Sequence, residues 1–369
     1  MKRILLLVSL ISAALISCGQ DPIFYEISKE VEPKDPVISG GPSKMVEAGA
    51  SPYVGRGKVY QYGAGSWKRI ASPGGTVQDV AAVGSTLYAM TMSMDGSLSS
   101  ARVWKYDGSA WEEIENSSEY GQIQTIFGTE DTLFVGARDN NSSSRRYAIL
   151  YYNGTSLVTL KDFSNTGSED DGGLLRGAVK SGTNYYLATK NKGIFYGTLA
   201  ALPSASAFAF ISGNLTGMIQ VGSKIAAVST NGDDGNILTF ETSAPAGFKQ
   251  RHFSDIQFTP ALAVWINPDL SGDDLLLVGI VDTDGSYTYG YREIKLDAGG
   301  ILPNADNISL RAPGNGSPTT VSDNSVYKST IGKKRVNSLY QAPDGTLFAS
   351  TQQAGLWSYR NNEWNAHDN

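Results

Sequence analysis

Two residue types that carry much of protein chemistry are nearly missing from this chain. Its 369 residues hold one cysteine, Cys18, and two histidines, His252 and His367. A lone thiol makes no internal disulfide and no multi-thiolate metal centre. Neither histidine has a second histidine or a cysteine nearby at ligand spacing, so a zinc or iron site is not expected. A Ser-His-Asp triad would rest on His252, and no Gly-x-Ser-x-Gly elbow precedes any serine. No glycine-rich phosphate loop stands between a strand and a helix. The acidic stretches Ser168-Glu169-Asp170-Asp171, Asp233-Asp234, Asp273-Asp274 and Asp282-Thr283-Asp284 lack the spacing of a calcium loop and read as solvated turns. These absences assign no catalytic residue, no metal ligand and no cofactor, and they weigh against an enzyme.

Charge is also sparse. Lys and Arg number 30 against 36 Asp and Glu, a net charge of −6. A mildly acidic chain has no general attraction to nucleic acid or to anionic lipid, and a monomer is expected. Helical periodicity is almost absent too. Short apolar runs broken by Gly, Asn, Asp and Ser dominate, which is the pattern of an all-β protein.

The single long apolar run is at the start: Met1-Lys2-Arg3, then residues 4–16, then Ser17-Cys18. This is the layout of an export signal. The run is too short to span a bilayer core, which needs about 20 residues. Leu15-Ile16-Ser17-Cys18 closely resembles the lipobox of bacterial lipoproteins. That resemblance implies cleavage before Cys18, a diacylglycerol on its sulfur and an acyl chain such as palmitate on the new amino group. Loss of Lys2 and Arg3 leaves 28 basic and 36 acidic residues, or −8, so attachment must come from acyl chains rather than from charge. Gly19 is not the aspartate that retains lipoproteins in the inner membrane, so an outer-membrane address is expected. The domain plan is a signal peptide over 1–17, a lipidated cysteine and Pro-rich tether over 18–41, and one folded domain over 42–369. Ile23-Phe24-Tyr25-Glu26-Ile27 is a candidate extra strand within the tether.

The folded part repeats. Val59-Tyr60-Gln61-Tyr62, Val103-Trp104-Lys105-Tyr106, Ile149-Leu150-Tyr151-Tyr152, Gly193-Ile194-Phe195-Tyr196 and Ile237-Leu238-Thr239-Phe240 recur about every 44 residues, and Leu356-Trp357-Ser358-Tyr359 closes the series. Trp67, Trp111, Leu157 and Trp364 each follow the last aromatic of their motif by five positions, across turns such as Asp107-Gly108 and Asn153-Gly154. Such turns supply the positive φ that tight hairpins need. Two further strands precede each hairpin. Four antiparallel strands at this period predict a β-propeller. Seven blades fall near 43–70, 77–115, 121–162, 174–213, 215–252, 258–312 and 335–366. The Tyr-Asp-Gly-x-x-Trp hairpins resemble those of two-component-regulator propellers, which implies the fold and no particular activity. Tyr62, Tyr106, Tyr152 and Tyr359 are expected in the core, and Trp111 is expected to be more firmly packed than Trp364.

Naming the strands of a blade a to d, a-b and c-d connections look short. The long ones are b-c (92–102, 138–147, 230–236, 281–286) or d-a (161–173, 199–214, 243–259, 298–335), which emerge together on one face. Function tends to sit on loops carried by a rigid scaffold. Gln78, Gln124, Arg176 and Asn337 hold matched places near the start of strand a, at the channel mouth on that face, and are the candidate binding residues. The leading expectation is a membrane-anchored module that presents one propeller face to a protein or glycan. An envelope-assembly scaffold and a hydrolase or lyase using channel carboxylates are the alternatives.

Overall fold

The computed structural model describes residues 38–92, 101–139, 146–163, 171–208, 213–266, 274–282, 290–311, 331, 334–360 and 363–367. Cys18, the tether and the candidate strand 23–27 lie outside them. The described strands form seven separate sheets, a seven-bladed propeller. Blades 1, 2, 5 and 7 are four-stranded meanders. Blade 3 gains a two-residue parallel strand, Glu115–Asn116, along its outer edge. The innermost strands a are Met45–Ala48, Thr76–Val83, Gln122–Gly128, Leu175–Ser181, Asn214–Val221, Ile256–Ile266 and Val336–Gln341.

A middle strand is covered on both faces by neighbouring blades, so it reads as an unbroken apolar run rather than an alternation. Strands b show this: Leu133–Arg138 is buried up to its last residue and Leu347–Thr351 throughout. The core lies between blades. Ala81, Tyr88 and Val103 of blade 2 meet Ile123, Val135 and Leu150 of blade 3. Strands a converge closely enough that a Cβ on Gly128 would lie 1.7 Å from the Ala82 carbonyl oxygen, so no side chain fits there. The c-d turns form as expected. Gly108 and Gly154 have φ of 100° and 99°, and Asp107 Oδ1 accepts from the amides of Ser109 and Ala110 at 2.7 Å.

Blade 7 closes on blade 1. Ile38, Met45, Val54, Tyr62 and Trp67 pack against Ala342, Phe348 and Leu356. Ile38 is fully buried, so the packed domain takes in residues that the sequence assigns to the tether. The Ile38 amide donates to the His367 carbonyl at 3.1 Å, Leu356 donates to Ile38 at 2.9 Å and Gly355 donates to Gly40 at 2.7 Å. At the other end of this seam, the Tyr62 hydroxyl donates to Asp344 at 2.7 Å and accepts from Arg360 at 2.8 Å. The Tyr340 hydroxyl donates to Glu47 at 2.7 Å.

Several expectations need correction. Tyr62 is fully in the core, and Tyr106, Tyr152 and Tyr359 pack against it while keeping part of their surface exposed. Trp67 is 1% exposed and Trp364 7%, while Trp111 is only half-buried, because its outer strand Trp111–Glu113 is short. The order expected for Trp111 and Trp364 is therefore reversed. Residues 230–236 are no long connection, since strands Lys224–Asn231 and Asp234–Glu241 meet in a tight turn. Residues 243–259 are mostly strand d itself, Ala244–Phe253. Blades 4 and 6 depart most. After strand c of blade 4, residues 198–207 make an excursion with a 3-10 turn, Leu202–Ser204, before Phe208 returns to bond Ile194. Blade 6 does the same over 296–310, with Ala305–Asn307, before Arg311 pairs with Glu293. Both excursions pack on the preceding blade. Leu202 joins Leu160 of blade 3, and Leu302 and Ile308 join Val228 and Ile237 of blade 5. These are c-d connections, so elaboration is not confined to the b-c and d-a face.

Candidate functional site

Each strand a carries the same irregularity near its start. Strand b pairs one residue against two, skipping Gln78 in blade 2, Gln124 in blade 3, Arg176 in blade 4, Thr216 in blade 5 and Asn337 in blade 7. In blade 6 the register jumps from Phe258 to Leu262, so Pro260 sits within a wider bulge. In blade 1 Ser43 donates to Gly55 and Met45 lies opposite Val54, which leaves Lys44 in the skipped place. A β-bulge bends its strand and re-aims the extra side chain. Seven of them form a ring at the channel mouth, on the face where strand a begins and strand b ends.

Inside this ring is a cavity of about 580 Å³. Its wall includes Lys44, Arg176, Thr216, Pro260 and Asn337 from the bulges, with Asp79, Thr125 and Ser338 one position further along their strands. Arg335 and Gln352 also line it, and Phe127, Ile219 and Leu339 give apolar surface along the strands. Of the four residues proposed from sequence, Arg176 and Asn337 line the cavity. Gln78 is exposed at the equivalent place, and Gln124 is half-buried with its amide nitrogen enclosed; neither is part of the wall.

Sequence reasoning missed Lys44 and Asp79. The Lys44 ammonium pairs with the Asp79 carboxylate, donates to the Ile126 carbonyl at 2.7 Å and lies 4.7 Å from the centre of the Phe127 ring. One cation thus ties blades 1, 2 and 3 across the channel. The two side chains keep 25% and 18% of their surface in contact with solvent. Desolvation lowers the pKa of Lys44 and raises that of Asp79, and their mutual attraction offsets only part of this. Both groups are therefore pushed toward neutrality. The readable signal was the repeat itself, since Lys44 occupies the blade-1 position equivalent to Gln78.

The opposite end of the ring is built differently. There, inter-blade contacts are fixed by tyrosines and carboxylates on short turns. The Tyr185 hydroxyl of blade 4 donates to Asp131 of blade 3 at 3.0 Å, and Lys180 approaches the same carboxylate at 2.8 Å. Burial pulls Asp131 upward, but the hydrogen bonds from Lys180, Tyr185 and Thr132 outweigh it and hold its pKa below the usual carboxylate value. Asp344 is likewise lowered, with desolvation outweighed by Tyr62 and the Thr346 amide.

No known protein family matches the sequence, and no curated protein matches it. Solved structures do. The extracellular domain of BT4673 from B. thetaiotaomicron aligns over 87% of this chain with a TM-score of 0.54 at 13% identity. The chain spans 39% of that structure's length. The WD40 β-propeller domain of Doa1 aligns over 88% of this chain and 95% of its own length, with a TM-score of 0.51 at 10% identity. The computationally designed Ika8 protein aligns over 88% and 98%, with a TM-score of 0.50 at 12% identity. At these identities the likeness is one of fold.

Proposed function

We propose that this chain is a lipoprotein of the bacterial envelope, anchored through Cys18, whose propeller is a binding module that holds a protein or glycan ligand at its channel mouth. The observation that carries the reading is the ring of bulges. The same backbone device recurs in seven blades, yet it presents Lys44, Gln78, Gln124, Arg176, Thr216, Pro260 and Asn337, side chains with little in common. Here it displays a varied, mostly polar set around a concave opening, which is the build of a recognition site on a stiff scaffold. A fold shared with an extracellular domain of a bacterial protein supports the envelope setting. The lipobox motif Leu15-Ile16-Ser17-Cys18 supports the anchor.

The test is capture of partners from envelope extracts by the full chain in detergent, with Arg176→Ala/Asn337→Ala as the comparison. A partner or glycan fraction retained by the native chain and lost with the double variant is expected. Equal capture by both would remove the channel mouth from the reading. Mass spectrometry of the mature N-terminus tests the anchor, and an unmodified Cys18 would refute it.

A further inference from the structure

Resting on that reading, we infer that the channel mouth holds an aldehyde-bearing ligand through a reversible imine on the Lys44 amine, with Asp79 as the proton relay. The first ground is access. Lys44 is the only amine among the described residues of the cavity wall, and its side chain keeps 25% of its surface in contact with solvent. It opens on about 580 Å³, within the range of small-molecule sites, roughly 300–1,000 Å³. The second ground is the partner. Asp79 accepts from the Val80 amide through Oδ1 at 2.9 Å, and its Oδ2 meets the Lys44 ammonium. A carboxylate is thus fixed at the nitrogen that must lose a proton before it can attack. The bond from Lys44 to the Ile126 carbonyl, at 2.7 Å, holds that nitrogen in place as the proton leaves.

The third ground is the surroundings. The Phe127 ring lies 4.7 Å from the ammonium, and desolvation disfavours the charged form of both partners. Passing one proton from Lys44 to Asp79 leaves an amine beside a carboxylic acid, a neutral pair that such a site favours more than water does. An exposed lysine near neutral pH is only about one part in a thousand amine, and a lowered pKa raises that fraction. The step balances without a further reagent. The amine nitrogen attacks the aldehyde carbon as the carbonyl π bond opens onto oxygen. Asp79 gives its proton to that oxygen and takes one from the nitrogen, which leaves a carbinolamine. Asp79 then protonates the hydroxyl, water departs, and the nitrogen lone pair closes the C=N bond. The sum is ammonium plus aldehyde to iminium plus water. The Asp79 carboxylate again faces a cation, and hydrolysis reverses the sequence.

The experiment treats the full chain in detergent with glyceraldehyde and cyanoborohydride near neutral pH and follows each lysine by peptide mass spectrometry. Lys44 is expected to gain the adduct at least about tenfold faster than the exposed Lys68 and Lys249, although it is the less accessible. Equal or slower reaction at Lys44 would overturn the inference. A parallel acetylation with an N-hydroxysuccinimide ester reads the free amine alone, because it expels no water. Asp79→Asn should therefore lower the ratio of imine to acetyl rates at Lys44 by about tenfold, the loss of a general acid. An unchanged ratio would overturn the relay, and circular dichroism checks that the variant is folded. Lactose replaces glyceraldehyde in a further arm. Adducts from both probes assign the reducing end of a glycan, and an adduct from glyceraldehyde alone assigns a small carbonyl compound. Failure at Lys44 leaves the channel-mouth reading to the capture experiment, whose variants do not touch this lysine.

Discussion

The two ends of this propeller solve different problems with the same seven strands. Where strand a ends, turns are short and Tyr62, Tyr185 and Tyr340 each fix one blade to another through a carboxylate. Where strand a begins, the pairing is interrupted by a bulge in every blade and the exposed side chains differ from blade to blade. The locked end spends its polar groups on each other. The mouth sets its polar groups around an open cavity, with Thr125 and Thr216 bonded back to the Leu175 and Val228 carbonyls. If the mouth binds a ligand as proposed, stability and recognition are separated along the channel axis, and the Lys44–Asp79 pair is where they meet.

Substitutions can test that separation. The largest effect is expected at Trp67, buried beside Tyr62 and Phe348 with ring centres 5.2–5.3 Å away. Trp67→Ala should cost about 3–5 kcal/mol in urea unfolding, as large aromatic truncations do, and Trp111→Ala distinctly less. Equal costs would show that half-burial of Trp111 does not lighten its role.

Next is the pair at the border. Asp79→Ala alone strands a partly buried ammonium and should cost up to about 3 kcal/mol, less than for a wholly dry pair because both groups still meet solvent. The double change Lys44→Met/Asp79→Leu should restore stability to within about 1 kcal/mol. Restored stability with lost ligand binding would assign the pair to the mouth; a double variant as unstable as the single one would assign it to the scaffold.

The locked end should respond to acid. Asp131 and Asp344 have folded pKa values below their unfolded ones. Their contribution is therefore complete above about pH 4, the unfolded carboxylate value, and is lost as pH falls through the folded values. Thermal melts from pH 7 to pH 2 should show this loss, and Tyr62→Phe/Tyr185→Phe should flatten it. The smallest stability effect belongs to the mouth. Asn337→Ala should shift unfolding by no more than about 0.5 kcal/mol, since it does not fill the core. A larger cost would break the comparison.

Much of the architecture was legible in the chain. The aromatic strand c and its Asp-Gly or Asn-Gly turn recur at a spacing near the blade length, so seven blades could be placed within a few residues. The outer strands were harder, because one face of strand d is solvated and its pattern is weak. Ala244–Phe253 has mostly exposed side chains, so its ten residues resembled a loop. The excursions over 198–207 and 296–310 were assigned to the wrong face because periodicity does not tell where a missing strand would have turned. At the mouth, the matched polar positions in strand a pointed to Arg176 and Asn337, which line the cavity. The bulge itself leaves no mark in composition, since the skipped residue can be Gln, Arg, Thr or Asn. Lys44 was missed because blade 1 begins so abruptly that its bulge precedes the recognisable strand.

The segment at Ile38 carries a mechanical consequence. It runs parallel to the start of strand c in blade 7, enters from the mouth face, and bonds to Leu356, Gly355 and His367. The last described residue of the chain, His367, leaves on that face as well. Load on this segment falls on three backbone hydrogen bonds that reach two different strands of blade 7. The strain reaches the 7–1 seam first, behind the buried Ile38 side chain, before any other blade contact.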